Sequence, residues 1–196
     1  CYYSGIVVSQ NFKEAYQWFN KSAQQGLPEA MQSLALCLLR GDGVQADYEE
    51  GIKWQYKAAE SNVPSILYTT GVICEQFADD SIKAFNYYKK AADLGSIEAS
   101  LIIGADYRDG VIVSQDYAKA LEYYTKAAEK GNHIAYINIG TIYYFSYIDY
   151  TYHNIDSGVE KDINKAIYNL ETSLKCWWIM PIPYKNASFG EAMTTS

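Results

Sequence analysis

Residues 116–131 read DYAKALEYYTKAAEKG, and the order of their apolar positions admits one secondary structure. Ala120, Tyr123, Tyr124, Ala127 and Ala128 recur at spacings of three and four, which places them on one side of a helix. Lys119, Glu122, Lys126 and Glu129 fall on the other side and face water. Asp116 stands where a carboxylate accepts the first free amides of the helix. Gly131 stands where the chain leaves it in a left-handed turn.

The same phrase returns along the chain. Ala23, Ala59, Ala92 and Ala128 are separated by 36, 33 and 36 positions, and Trp18, Trp54, Tyr87 and Tyr123 keep that rhythm. So does the residue three after each alanine: Gly26, Asn62, Gly95 and Gly131. A period of this size marks a supersecondary module that cannot bury its own apolar face and must stack on its neighbours. The helix just described is therefore expected over 12–25, 48–61, 81–94, 116–130 and 162–175, with Asn11, Asp47 and Asp162 in the capping role of Asp116.

A different helical pattern precedes each copy, over 30–40, 66–76, 99–109 and 135–145. Ala30, Leu34 and Leu38 return as Ala99, Ile103 and Tyr107, then as Ala135, Ile139 and Tyr143, one face of a helix at a spacing of four. A small residue follows the middle anchor each time (Ala35, Gly71, Gly104, Gly140), although a mid-helix glycine is worse than alanine by up to about 1 kcal/mol. Its recurrence implies a neighbour too close for a side chain. Gly5, Gly41 and Gly110 open the turns between the two patterns and call for left-handed backbone. The third module loses three residues in this turn (EQFADDS, 75–81), and the last gains ten between Tyr143 and Gly158.

With these positions in hand, the chain resembles the Sel1-like repeat family, relatives of the tetratricopeptide repeat. Ala30, Leu34, Gly41, Gly43, Val44, Asp47, Trp54, Lys57, Ala58 and Ala59 carry the family pattern. It returns in Ala99, Gly104, Tyr107, Gly110, Asp116, Lys119, Ala120, Tyr123, Tyr124, Lys126, Ala127, Ala128 and Gly131. The expected fold is all-α, a right-handed α-solenoid of antiparallel helix pairs. Its parts are a partial repeat over 1–29, repeats over 30–65, 66–98, 99–134 and 135–175, and an insertion loop at 145–157. Residues 176–196 match nothing in the pattern and are expected to be a terminal cap or the truncated edge of a longer array.

Bulk chemistry narrows the function. A net charge of −7 argues against nucleic acid, whose phosphates require a basic stripe, and against attachment to anionic lipid. No run reaches the roughly 18 apolar residues needed to insert in a membrane. Cys1, Cys37, Cys74 and Cys176 are too few and too irregular for a disulfide framework, which favours buried thiols and a cytoplasmic location over a secreted or periplasmic one. His133 and His153 lie at no recognised spacing from a nucleophile or carboxylate, and no metal-ligand or cofactor motif is present. Gly41-Asp42-Gly43 follows a helix and lacks the Lys-Ser/Thr of a phosphate loop. No catalytic residue, metal or cofactor is assigned.

In solenoids of helix pairs the first helix of each pair lines the concave side. If its first, fifth and ninth positions enter the core, the third, fourth and seventh face inward. These are Gln32, Ser33 and Leu36; Tyr68, Thr69 and Val72; Leu101, Ile102 and Ala105; Ile137, Asn138 and Thr141. That neutral, fairly apolar surface suits a peptide or partner helix and lacks a basic cluster for a terminal carboxylate. A second candidate is the insertion, where Tyr147, Tyr150, Tyr152 and His153 form an aromatic loop. The expected function is a non-catalytic scaffold or adaptor for a protein or peptide partner, as a monomer or within a larger complex. The alternatives are a regulatory arm of a larger enzyme and a secreted repeat protein acting on cell-wall or antibiotic substrates. The resemblance implies the adaptor role as well.

Overall fold

Caps and turn residues set the helix ends in the computed structural model, which describes residues 2–5, 9–149, 151 and 158–179, with side chains through Lys175. Asn11, Asp47, Asp80 and Asp116 accept the backbone N–H three residues on at 3.1, 3.0, 2.9 and 3.0 Å. Asp162 accepts those of Asn164 and Lys165. Each relieves amides that the first helical turn leaves without partners. The helices so begun are α1 (Phe12–Ala23), α3 (Tyr48–Ala59), α5 (Ser81–Asp93), α7 (Tyr117–Ala128) and α9 (Ile163–Ile179). Between them run α2 (Pro28–Arg40), α4 (Pro64–Phe77), α6 (Ile97–Asp109) and α8 (His133–Ile148). Gly41 and Gly110 leave α2 and α6 at φ +76° and +70°, and in the shortened third turn Asp79 takes the left-handed position at +47°. The described residues contain no strand.

The chain divides into two units, Cys1–Ser96 with α1–α5 and Ile97–Ser196 with α6–α9. In the first, Ala23, Met31, Leu34, Leu38, Ala58 and Ile66 form a buried cluster with Phe19 and Trp54 packed against it. In the second, Ala120, Tyr124, Ala127, Ala135, Ile139 and Ile142 do so. Each fully buried leucine or isoleucine contributes about 1.5–3 kcal/mol.

Within the units α2 packs on α3, α4 on α5, α6 on α7 and α8 on α9. The mid-helix glycines explain how closely. A Cβ on Gly71 would stand 2.5 Å from the Tyr88 ring, one on Gly104 2.6 Å from the Tyr124 ring, and one on Gly140 2.8 Å from Leu170 Cγ. In the α2–α3 pair the glycine has moved across: Gly51 makes room for Leu39, and Gln55 occupies the position of Tyr88 and Tyr124. Buried Gln55 donates from Nε2 to Thr70 Oγ1 at 3.0 Å and to the Ile66 carbonyl at 3.3 Å.

The repeated lysines also have a physical reason. Lys21, Lys57 and Lys126 lie over the rings of Trp18, Trp54 and Tyr123, and Lys119 and Lys165 over those of Tyr107 and Tyr143, at 4.3–5.6 Å from the centroids. The ammonium group is held by the negative face of the ring while the stem covers apolar surface.

Two expectations need correction. Residues 145–148 do not begin a loop: they extend α8, because Phe145 to Ile148 continue its apolar pattern with no breaker among them. Residues 176–179 likewise continue α9, which does not stop at Cys176.

Candidate functional site

None of the twelve residues assigned to the inward face enters the buried core; Ile137 is exposed and the other eleven are half-buried. In the first unit Gln32 Nε2 donates to Thr69 Oγ1 at 2.8 Å, so α2 and α4 present adjoining polar positions. Leu101 packs at the edge of the second unit's core. Tyr147 sits half-buried within α8, while Tyr150, Tyr152 and His153 lie outside the described residues. Cys37 and Cys74 are buried free thiols.

An apolar exposed surface lies on α8. Ile134, Ile137, Tyr144 and Phe145 are 41%, 42%, 44% and 55% exposed. Together with Thr141 they fall within a stripe about 100° wide, since their spacings are three or four. In a helix whose opposite face is buried by Ala135, Ile139 and Ile142, that leaves α8 apolar on two sides. Such an exposed stripe has the character of a contact surface.

The stripe ends at a cleft of about 560 Å³. One wall comes from the end of α6 and the turn after it: Arg108, Asp109, Gln115 and Tyr117. The other comes from the last turns of α8: Thr141, Ile142, Phe145, Ser146 and Asp149. Arg108 grips Asp109 with two bonds of 2.7 and 2.9 Å and donates from Nη1 to Asn138 Oδ1 at 2.7 Å. The bond to Asp109 raises the Arg108 pKa, and the same bond holds the Asp109 carboxyl below its usual range. Gln115 Nε2 donates to the Arg108 carbonyl at 2.7 Å, fixing the turn. Arg108 is thus a single guanidinium beside Asn138 of this face, and it is already neutralised by Asp109. Ser146 is 1% exposed and its hydroxyl has no hydrogen-bond partner among the described residues.

Sequence reasoning missed Arg108, Asp109, Gln115, Tyr117, Phe145, Ser146 and Asp149. Four of them sit in or beside a turn that repeats in other modules and so reads as punctuation. The others lie on the stretch of α8 that was taken for loop. Among the described residues no group of three or more His, Cys, Asp or Glu side chains is placed to hold a metal, and no helix is long and apolar enough to cross a membrane.

Helix pairs that repeat their caps, close-approach glycines and lysine-covered rings at one period define an α-solenoid repeat protein. The chain belongs to the Sel1 repeat family, whose model matches residues 1–27, 28–63, 66–96, 98–132 and 151–175. Its fold is similar to that of a Sel1 repeat protein from Oxalobacter formigenes, at TM-score 0.70 and 32% identity over 89% of this chain and 68% of the other. It is also similar to a protective antigen of uropathogenic Escherichia coli strains displaying an SLR fold, at TM-score 0.75 and 29% identity over 89% of this chain and 36% of the antigen. An uncharacterized protein of Neisseria meningitidis serogroup B is 34% identical over 89 residues. The matched stretch is 44% of this chain and only 19% of the Neisseria protein. Sel1 repeats generally mediate protein–protein interaction and are generally non-catalytic.

Proposed function

We propose that this chain is a non-catalytic scaffold that binds a peptide or partner helix along the inward faces of its first-type helices, with α8 as the principal contact. The observation that supports this most directly is the exposed stripe of Ile134, Ile137, Tyr144 and Phe145 on a helix already packed on its other side. Helices fixed by their neighbours lose little backbone freedom when a ligand docks, so a few aliphatic and aromatic contacts suffice for affinity. An amphipathic helix laid on α8 would place its own apolar residues at the same three- and four-residue spacings.

The test is site-directed photocrosslinking in the full chain, with the reactive group at position 144 and the crosslinked partner identified by mass spectrometry. Ile137→Glu puts a charge in the middle of the stripe at an exposed position, so folding should be unaffected and adducts should be lost. Undiminished adducts in Ile137→Glu and in Ile134→Glu would refute the docking face.

A further inference from the structure

We infer that the cleft at the end of α8 receives a basic side chain, an arginine or lysine, with which the docked partner anchors itself. This deepens the preceding reading by naming the chemistry of the partner's anchoring residue, and rests on it.

The charges of the cleft decide its preference. Arg108 and Asp109 neutralise each other through two hydrogen bonds. The remaining ionised wall residue is Asp149, which caps the C-terminal end of α8 and is half-buried. The backbone winds on past α8, and the Asp149 N–H is donated to the carbonyls of Phe145 and Ser146, so the Asp149 carboxylate itself is the charge that counts here. The last turn of α8 holds no basic residue. A carboxylate with no basic residue in its own turn leaves room for a positive partner.

The walls around it suit a guanidinium or ammonium group. Phe145 and Tyr117 offer aromatic surface on which a cation or its aliphatic stem packs. Ser146 lines the same cleft with a buried hydroxyl that has no hydrogen-bond partner among the described residues, so an N–H donor brought into the cleft would supply one. An unmade hydrogen bond in such a place is unfavourable, and a ligand donor would relieve it. The site opens directly off the stripe, because Phe145 belongs to both. A partner helix with apolar residues along Ile134 and Ile137 would therefore carry its basic residue toward the C-terminal end of α8. The chain's net charge of −7 favours the approach of such a segment.

The experiment titrates the ¹⁵N-labelled full chain with N-acetyl-arginine methylamide, using N-acetyl-norleucine methylamide and N-acetyl-glutamate as controls. Saturable amide shifts are expected over 108–117 and 141–149 with the arginine compound alone, weakening as salt is raised. Asp149→Asn should lower that affinity about tenfold, as loss of a charge-assisted contact does. Ser146→Ala should lower it about threefold while leaving the melting temperature unchanged or higher, which a purely structural serine would not do. Ile137→Glu should leave arginine binding intact, and this separates the two readings. Arginine binding that persists in Ile137→Glu and falls in Asp149→Asn supports the cation site even if the docking face fails. Equal shifts from the norleucine or glutamate compound, or unaltered arginine affinity in Asp149→Asn, overturn it and leave the docking face untouched.

Discussion

Replacing Gly71 by alanine sets two effects of opposite sign against each other. Helix propensity alone makes alanine better than glycine within α4 by about 1 kcal/mol. The added Cβ, however, would lie 2.5 Å from Cε1, 2.6 Å from Cδ1 and 2.8 Å from Cζ of Tyr88, against 3.4 Å for ordinary contact. The ring would have to retreat by about 0.9 Å. It has little freedom to do so: Tyr88 is 1% exposed, its hydroxyl donates to Glu75 at 2.9 Å, and the Tyr68 ring sits 5.7 Å away. Overpacking by nearly 1 Å against a ring so held lies toward the upper part of the usual range, about 2–3 kcal/mol, from which the propensity gain is subtracted. Gly71→Ala should therefore destabilise the chain by about 1–2 kcal/mol in urea unfolding followed by circular dichroism. In a Tyr88→Ala background the obstacle is gone, and the same substitution should stabilise by about 1 kcal/mol. That reversal of sign is the signature of direct contact. If Gly71→Ala stabilises in both backgrounds, the glycine is not there to admit the ring.

Tyr124 occupies the repeat position of Tyr88 but its hydroxyl is buried without a partner, and burial pushes its pKa up to about 12. Above pH 10 the unfolded chain ionises this phenol while the folded chain keeps it protonated, so the unfolded state binds fewer protons and stability falls as pH rises. Between about pH 10 and 12 this loss should reach about 2–3 kcal/mol, and Tyr124→Phe should abolish it while matching or exceeding the wild type in stability at neutral pH. Asn62 stands at φ +57° where the other modules have glycine at +80° to +94°. Asn62→Ala should lose about 1 kcal/mol and Asn62→Gly less than about 0.5 kcal/mol in thermal unfolding, and equal losses would refute a backbone origin.

Most of the fold was legible because its determinants are local and repeat. Asn11, Asp47, Asp116 and Asp162 each stand just before an apolar helical pattern, and a cap needs nothing farther away than the next turn. Asp80 was not singled out because its module has lost the turn glycines that mark the others. Gly71, Gly104 and Gly140 announced a close approach, but not which group approaches, since that depends on Tyr88, Tyr124 and Leu170 in a separate helix. Gln55 illustrates the same limit: it breaks an aromatic pattern, and its reason is Thr70 on another helix.

The cleft was illegible for a further reason, and the reason bears on function. A strictly repeating array presents the same turn and the same helix end in every module, and α2, α4 and α6 span 13, 14 and 13 residues. α8 spans 16, so its last turn carries Ser146 to Ile148 past the point where α2 and α6 stop, while Phe145 stands in register with Arg40 and Asp109. Phe145 and Ser146 line one cleft with Arg108, Asp109 and Tyr117 of the same unit. Periodic positions are constrained by stacking, and a change at one of them disturbs a core. Residues added beyond the period are released from that constraint and are where a repeat protein acquires a preference among partners. Ser146 and Asp149 lie where α8 exceeds its repeat, which is why the proposed cation site is placed there, whereas the stripe from Ile134 to Phe145 stays within the periodic part of the helix.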